Sequence, residues 1–90
     1  MSMMGMDVEV IRGVAQQLTA QADEIQTVIT AVDAQIADAD TNWDGDDATA
    51  FIDQWRNAQK PGLTQAEDAL RQLATKATTQ ADQQEQTSAS

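Results

Sequence analysis

The sequence predicts an all-α protein: an antiparallel helix-turn-helix hairpin that dimerises into a four-helix bundle. Three observations predict it. An apolar seam with steps of three and four runs unbroken through the first half of the chain, which is the period of an amphipathic helix. A short stretch of turn formers follows, and then a second apolar stripe. Finally, Ala and Gln together supply 29 of the 90 residues. Both are good helix formers, whereas the strand-favouring aromatics are only Trp43, Phe51 and Trp55.

The first helix is expected over about residues 7–40. Asp7 is placed to cap it, and Glu9 puts negative charge in the first turn, where the helix dipole favours it. The seam reads Ile11, Ala15, Leu18, Ala22, Ile25, Ile29, Val32, Ile36, Ala39 and Trp43. Val14 and Val28 flank it and widen the stripe. Gln17, Asp23, Gln26 and Asp33 fall on the other face, which reads as solvated. A helix of about 33 residues spans roughly 50 Å.

The turn is expected over residues 41–46, within the run Asp40-Thr41-Asn42-Trp43-Asp44-Gly45-Asp46-Asp47. Gly45 tolerates a positive φ, and Asp44, Asp46 and Asp47 are candidates to cap the next helix. So short a connection between long helices makes them antiparallel neighbours.

The second helix is expected over about residues 46–84. Its first half presents Ala48, Phe51, Ile52, Trp55 and Ala58, and its second half Leu63, Ala66, Leu70, Leu73 and Ala77. The halves are out of register by one residue, and the offset coincides with Lys60-Pro61-Gly62. Proline inside a helix removes a hydrogen bond and crowds the preceding turn. Thr64 and Glu67 have capping-box spacing. A kink near Pro61 is favoured over a full break, because the first helix has no matching interruption. Residues 1–6 and 85–90 are expected to be disordered ends.

Composition narrows function. The chain has no His and no Cys, so it lacks the commonest general base and every thiolate nucleophile or ligand. Its serines are Ser2, Ser88 and Ser90, all near the ends. No catalytic residue, metal or cofactor is expected. A net charge of −10 with scattered bases opposes nucleic-acid binding. No run is long and apolar enough to insert in a membrane, and the start lacks the features of a cleaved signal peptide. Asp40-x-Asn42-x-Asp44-Gly45 matches the first half of a calcium loop, but the twelfth position is Phe51 where glutamate is required. An acidic turn is the better reading.

The aromatics allow two compatible readings. Trp43, Phe51 and Trp55 can close the turn end as one cluster, or an exposed aromatic there can meet a partner. Apolar residues such as Val8, Val10, Val14, Val28 and Ile52 exceed what one hairpin buries. A second hairpin would cover them, over an interface on the order of 1,500 Å².

Trp43-Asp44-Gly45, followed by Ala48, Ala50, Phe51 and Trp55, and then by Leu63, Leu70 and Leu73, resembles the WXG (ESAT-like) family of small type VII secretion substrates. The resemblance covers about residues 6–85. It implies a hairpin that dimerises and is exported folded without a cleaved signal peptide, so that it is cytoplasmic first and then secreted or at the cell surface. It implies that Trp43 and Gly45 form a turn motif read for export, that the export ATPase is a partner, and that Ile11, Leu18, Ile25, Ile29, Val32, Ile36, Leu63, Leu70 and Leu73 serve helix and dimer packing. The second copy is expected to be identical, with a related hairpin as the other option. Tails in this family often carry Tyr-x-x-x-Asp/Glu. This chain has no Tyr. Thr78-x-x-x-Asp82 and Ala81-x-x-x-Glu85 are the nearest spacings, which makes Thr78, Asp82 and Glu85 a degenerate tail signal. The alternative role is a cytosolic helical adaptor or chaperone escorting a larger type VII effector.

Overall fold

The computed structural model describes residues 7–89. The expected disordered start at 1–6 lies outside them, as does Ser90. Helix α1 spans Val8–Asn42, α2 spans Asp46–Gln54, a π-helical turn spans Trp55–Gln59, and α3 spans Lys60–Ala89. α2, the π turn and α3 follow one another with no non-helical residue and form a single arm. α1 is the other arm. Arg12 near the start of α1 meets Asp82 and Glu85 near the end of α3, and Asp33 meets Trp55 and Lys60. The arms are therefore antiparallel, and the hairpin is a rod of 66 × 16 × 16 Å.

α1 begins where its cap dictates. The Asp7 carboxylate accepts from the backbone N–H groups of Glu9 and Val10 at 3.1 and 3.2 Å, two donors that the first turn leaves without helical partners. Ala15, Ala22, Ile29 and Ile36 are buried, and Ile11, Leu18, Ile25, Val32 and Ala39 are half-buried. The seam ends there. Trp43 has left the helix in an extended conformation and is 43% exposed. Val14 and Val28 are exposed, so they do not widen the contact between the arms.

The second arm departs from the expected stripe in three ways. First, the one-residue offset is taken up by the π turn, a one-residue insertion into an α-helix. The Lys60 N–H reaches back five residues to the Trp55 carbonyl, and the residues facing α1 step from Trp55 to Lys60. Second, α3 faces α1 with Leu63, Glu67, Leu70, Ala74, Ala77 and Ala81. Ala66 and Leu73 lie off this line, and Leu73 is 52% exposed. Two ladders of threes and fours share Leu63, Leu70 and Ala77. The chain adopts the one containing Glu67, because the Arg71 guanidinium meets that carboxylate at 2.8 and 3.1 Å. Third, no helix starts at Thr64, so Glu67 forms no capping box there. α3 continues through Ala89, past the expected end at 84.

The core is graded along the rod. Ile29, Ile36, Ile52 and Trp55 form a cluster in the turn half, with Ile25, Val32 and Leu63 against it. Truncating a buried tryptophan in such a cluster costs about 3–5 kcal/mol. Towards the open end the buried positions are Ala15, Ala22, Ala74 and Ala81, small side chains that let the arms approach closely.

Candidate interaction site at the turn and the tail

Only residues 43–45 interrupt the helices between the arms. The Trp43 N–H closes α1 on the Ala39 carbonyl at 2.9 Å. Gly45 has φ 108° and ψ 177°, a region open essentially to glycine alone. It is itself the cap of α2: its carbonyl accepts from the Thr49 N–H at 3.1 Å and the Thr49 hydroxyl at 3.3 Å. No side chain caps α2. Asp46 and Asp47, expected as caps, instead lie in its first turn and interact with the positive end of its dipole.

This turn geometry turns Trp43 back toward Phe51. Their ring centroids are 5.4 Å apart at 49°, a favourable tilted arrangement. Both remain about half exposed, Phe51 at 51%. Trp55 does not join them. It is 8% exposed, belongs to the Ile29–Ile36–Ile52 cluster, and donates from Nε1 to Asp33 Oδ1 at 2.9 Å. The three aromatics thus divide into an exposed pair and a buried anchor. Phe51 and Trp55 share the lining of one open cleft with Val32, Ile36, Gln54 and Gln59.

Asp33, which spacing assigned to the solvated face, is half-buried and ties the arms together. Its Oδ2 accepts from Lys60 Nζ at 2.7 Å, beside the Trp55 bond. Lys60 first, and Trp55 second, hold the Asp33 carboxyl below its ordinary pKa. Asp23, from the same expected face, pairs with Arg71 at 2.9 Å. Neither contact is visible in the spacing of α1, because each depends on which residue of the other arm lies opposite.

At the far end, the candidate tail residues are held in helix α3. Asp82 and Glu85 both pair with Arg12, at 2.8 and 3.3 Å. Thr78 is exposed beside a groove shared with Ala15, Thr19 and Arg71. The half calcium loop is no loop at all. Asp40 and Asn42 lie in α1, where the Asn42 amide donates to the Asp38 carbonyl at 2.9 Å, and residues 46–51 are in α2. Among the described residues no three carboxylates gather as a metal site, and no helix is long and apolar enough to cross a membrane.

A family model, WXG100, described as proteins of 100 residues with WXG, matches residues 3–88. No curated protein matches the chain, and no solved structure matches it.

Proposed function

Since the chain belongs to the WXG100 family, we propose that it is a non-enzymatic protein that a type VII secretion system exports as a folded dimer and that acts through protein–protein contact. The family match over residues 3–88 carries this reading. Family members are small secreted proteins of type VII systems and typically form dimers. Export proceeds without a cleaved signal peptide, from the cytoplasm to the medium or the cell surface. The turn is the element read for export: Gly45 shapes it, and Trp43 and Phe51 offer the export ATPase an aromatic pair that is already exposed. The tail contributes less, since Asp82 and Glu85 are engaged by Arg12.

The test compares culture supernatants of strains with and without the export ATPase. The protein is expected in the medium only when the ATPase is present, and Trp43→Ala is expected to reduce export while circular dichroism stays helical. Retention inside both strains overturns the reading. The missing tyrosine supports a second reading, an escort with no export signal of its own. In that case the protein stays inside, and its deletion stops the export of a larger effector.

A further inference from the structure

Asp44 alone among the aspartates of this chain is followed by glycine. The pair lies in the short interruption between the arms, and both residues are exposed. A Cβ built on Gly45 meets nothing within 4 Å, so the space around its backbone is open. The Gly45 N–H has no hydrogen-bond partner among the described residues. The backbone on either side is tied: the Trp43 N–H donates to the Ala39 carbonyl, and the Gly45 carbonyl accepts from the Thr49 N–H.

We propose that Asp44–Gly45 is a site of spontaneous backbone modification, at which the aspartate isomerises to isoaspartate through a cyclic imide. Water is the only co-reactant. The Gly45 amide nitrogen bonds to Asp44 Cγ, and its proton leaves with the carboxyl hydroxyl as one water. Water then opens the ring at either carbonyl. Opening at the former side-chain carbonyl restores aspartate. Opening at the former main-chain carbonyl leaves the chain running through Cβ and Cγ, with the old main-chain carbon now a free carboxylate. Mass and net charge return to their starting values, but the turn has gained one methylene in its backbone.

The fold protects the other candidates. The Asp7 carboxylate is held by the N–H groups of Glu9 and Val10. Asp46 and Asp47 lie in the first turn of α2, where the helix fixes ψ and the next residue carries a Cβ that shields its nitrogen. The remaining aspartates lie deeper in helices, where the following N–H is committed to a carbonyl of the preceding turn. Asn42 would form the same imide with loss of ammonia, but the nitrogen it needs is that of Trp43, already engaged by Ala39. Asn57 lies within the π turn.

The added methylene falls between Trp43 and Phe51, whose rings meet at 5.4 Å across this connection. Isomerisation therefore displaces that exposed pair and leaves the helices and the Trp55 cluster intact. The chemistry is intramolecular and does not rest on the export reading, although it limits the lifetime of the pair on which that reading relies.

The purified full chain tests this by incubation at mildly alkaline pH. Peptide mapping by mass spectrometry with electron-based fragmentation tells the two linkages apart, and a protein isoaspartyl methyltransferase with labelled methyl donor measures their amount. Isoaspartate is expected at Asp44 and at no other aspartate, preceded by a minor species lighter by one water. A synthetic peptide of residues 41–48 gives the rate of the unrestrained bond, and the folded chain is expected to approach it. Asp44→Glu, whose ring closes more slowly, is expected to lose the product with circular dichroism unchanged. Asp44→Asn is expected to form it faster, with ammonia leaving in place of water. The isomerised chain, separated by chromatography, is expected to keep its far-ultraviolet helical signal and to change its near-ultraviolet aromatic one. A folded chain that keeps Asp44 intact while the peptide isomerises, isoaspartate that forms first at Asp46 or Asp47, or product that persists in Asp44→Glu overturns the site. An unchanged aromatic signal overturns the displacement of the pair.

Discussion

At Gly45 the limiting factor is the backbone rather than space. A Cβ built there meets nothing within 4 Å, yet φ is +108°. Gly45→Ala is therefore expected to destabilise by about 1–3 kcal/mol through backbone strain alone, read as a lower denaturant midpoint with helix content retained at low denaturant. An unchanged midpoint would mean that the turn relaxes to another conformation. Asp33 makes the second residue-scale prediction. Its pKa is depressed in the fold, so its contribution to stability is present above the unfolded-state value of about 3.9 and is lost as pH falls through the folded value. Wild type should exceed Asp33→Asn in stability at neutral pH, and the difference should shrink as pH falls through and below about 4. Denaturant midpoints against pH measure it, and a difference independent of pH refutes the assignment. The two roles are not equally legible in the sequence. Gly45 announces itself, because a glycine amid turn formers marks a backbone position with positive φ. Asp33 does not, since its importance comes from the alignment of Trp55 and Lys60 across the hairpin.

The elements show where a periodic pattern is decisive and where it is ambiguous. α1 offers a single apolar ladder, and from Ile11 to Ala39 the chain buries it. α3 offers two ladders with Leu63, Leu70 and Ala77 in common. Choosing between Leu73 and Ala74 by hydrophobicity alone favours the wrong one, because Arg71 makes the Glu67 position acceptable. The offset near Pro61 is legible in the sequence, but whether it becomes a kink or an inserted residue depends on backbone geometry that spacing does not encode. The π turn occupies the residues ahead of Pro61, where a proline in a regular α-helix would crowd the carbonyl four residues back. Deleting Asn57 would turn this segment into regular α-helix and keep the α3 seam in register. That deletion should cost about 3 kcal/mol, because Pro61 then meets a regular helical turn. Adding Pro61→Ala should restore most of the loss. Thermal melts of the single and combined variants decide it. If Pro61→Ala fails to relieve the deletion, the π turn serves the register in some other way.

On the scale of the whole molecule, opposing electrostatic effects act over different distances. The three inter-arm ion-pair sites have their closest contacts at 2.7–2.9 Å, well inside any Debye length at ordinary salt. Most of the remaining acids are uncompensated, and their repulsion acts along a rod 66 Å long. Raising ionic strength from 0.01 to 0.15 M shortens the Debye length from about 30 to about 8 Å. Distant repulsions are screened first, while the contact pairs lose less and, being solvent-accessible, contribute little to begin with. The balance should favour the folded state: the melting temperature is expected to rise over this range, and to rise less in a variant such as Asp46→Asn/Asp47→Asn, which removes acids from the turn. A melting temperature that falls with salt would reverse the ranking and mean that the ion pairs outweigh the self-repulsion. The same argument bears on association, since two copies of charge −10 meet more readily once their distant acids are screened.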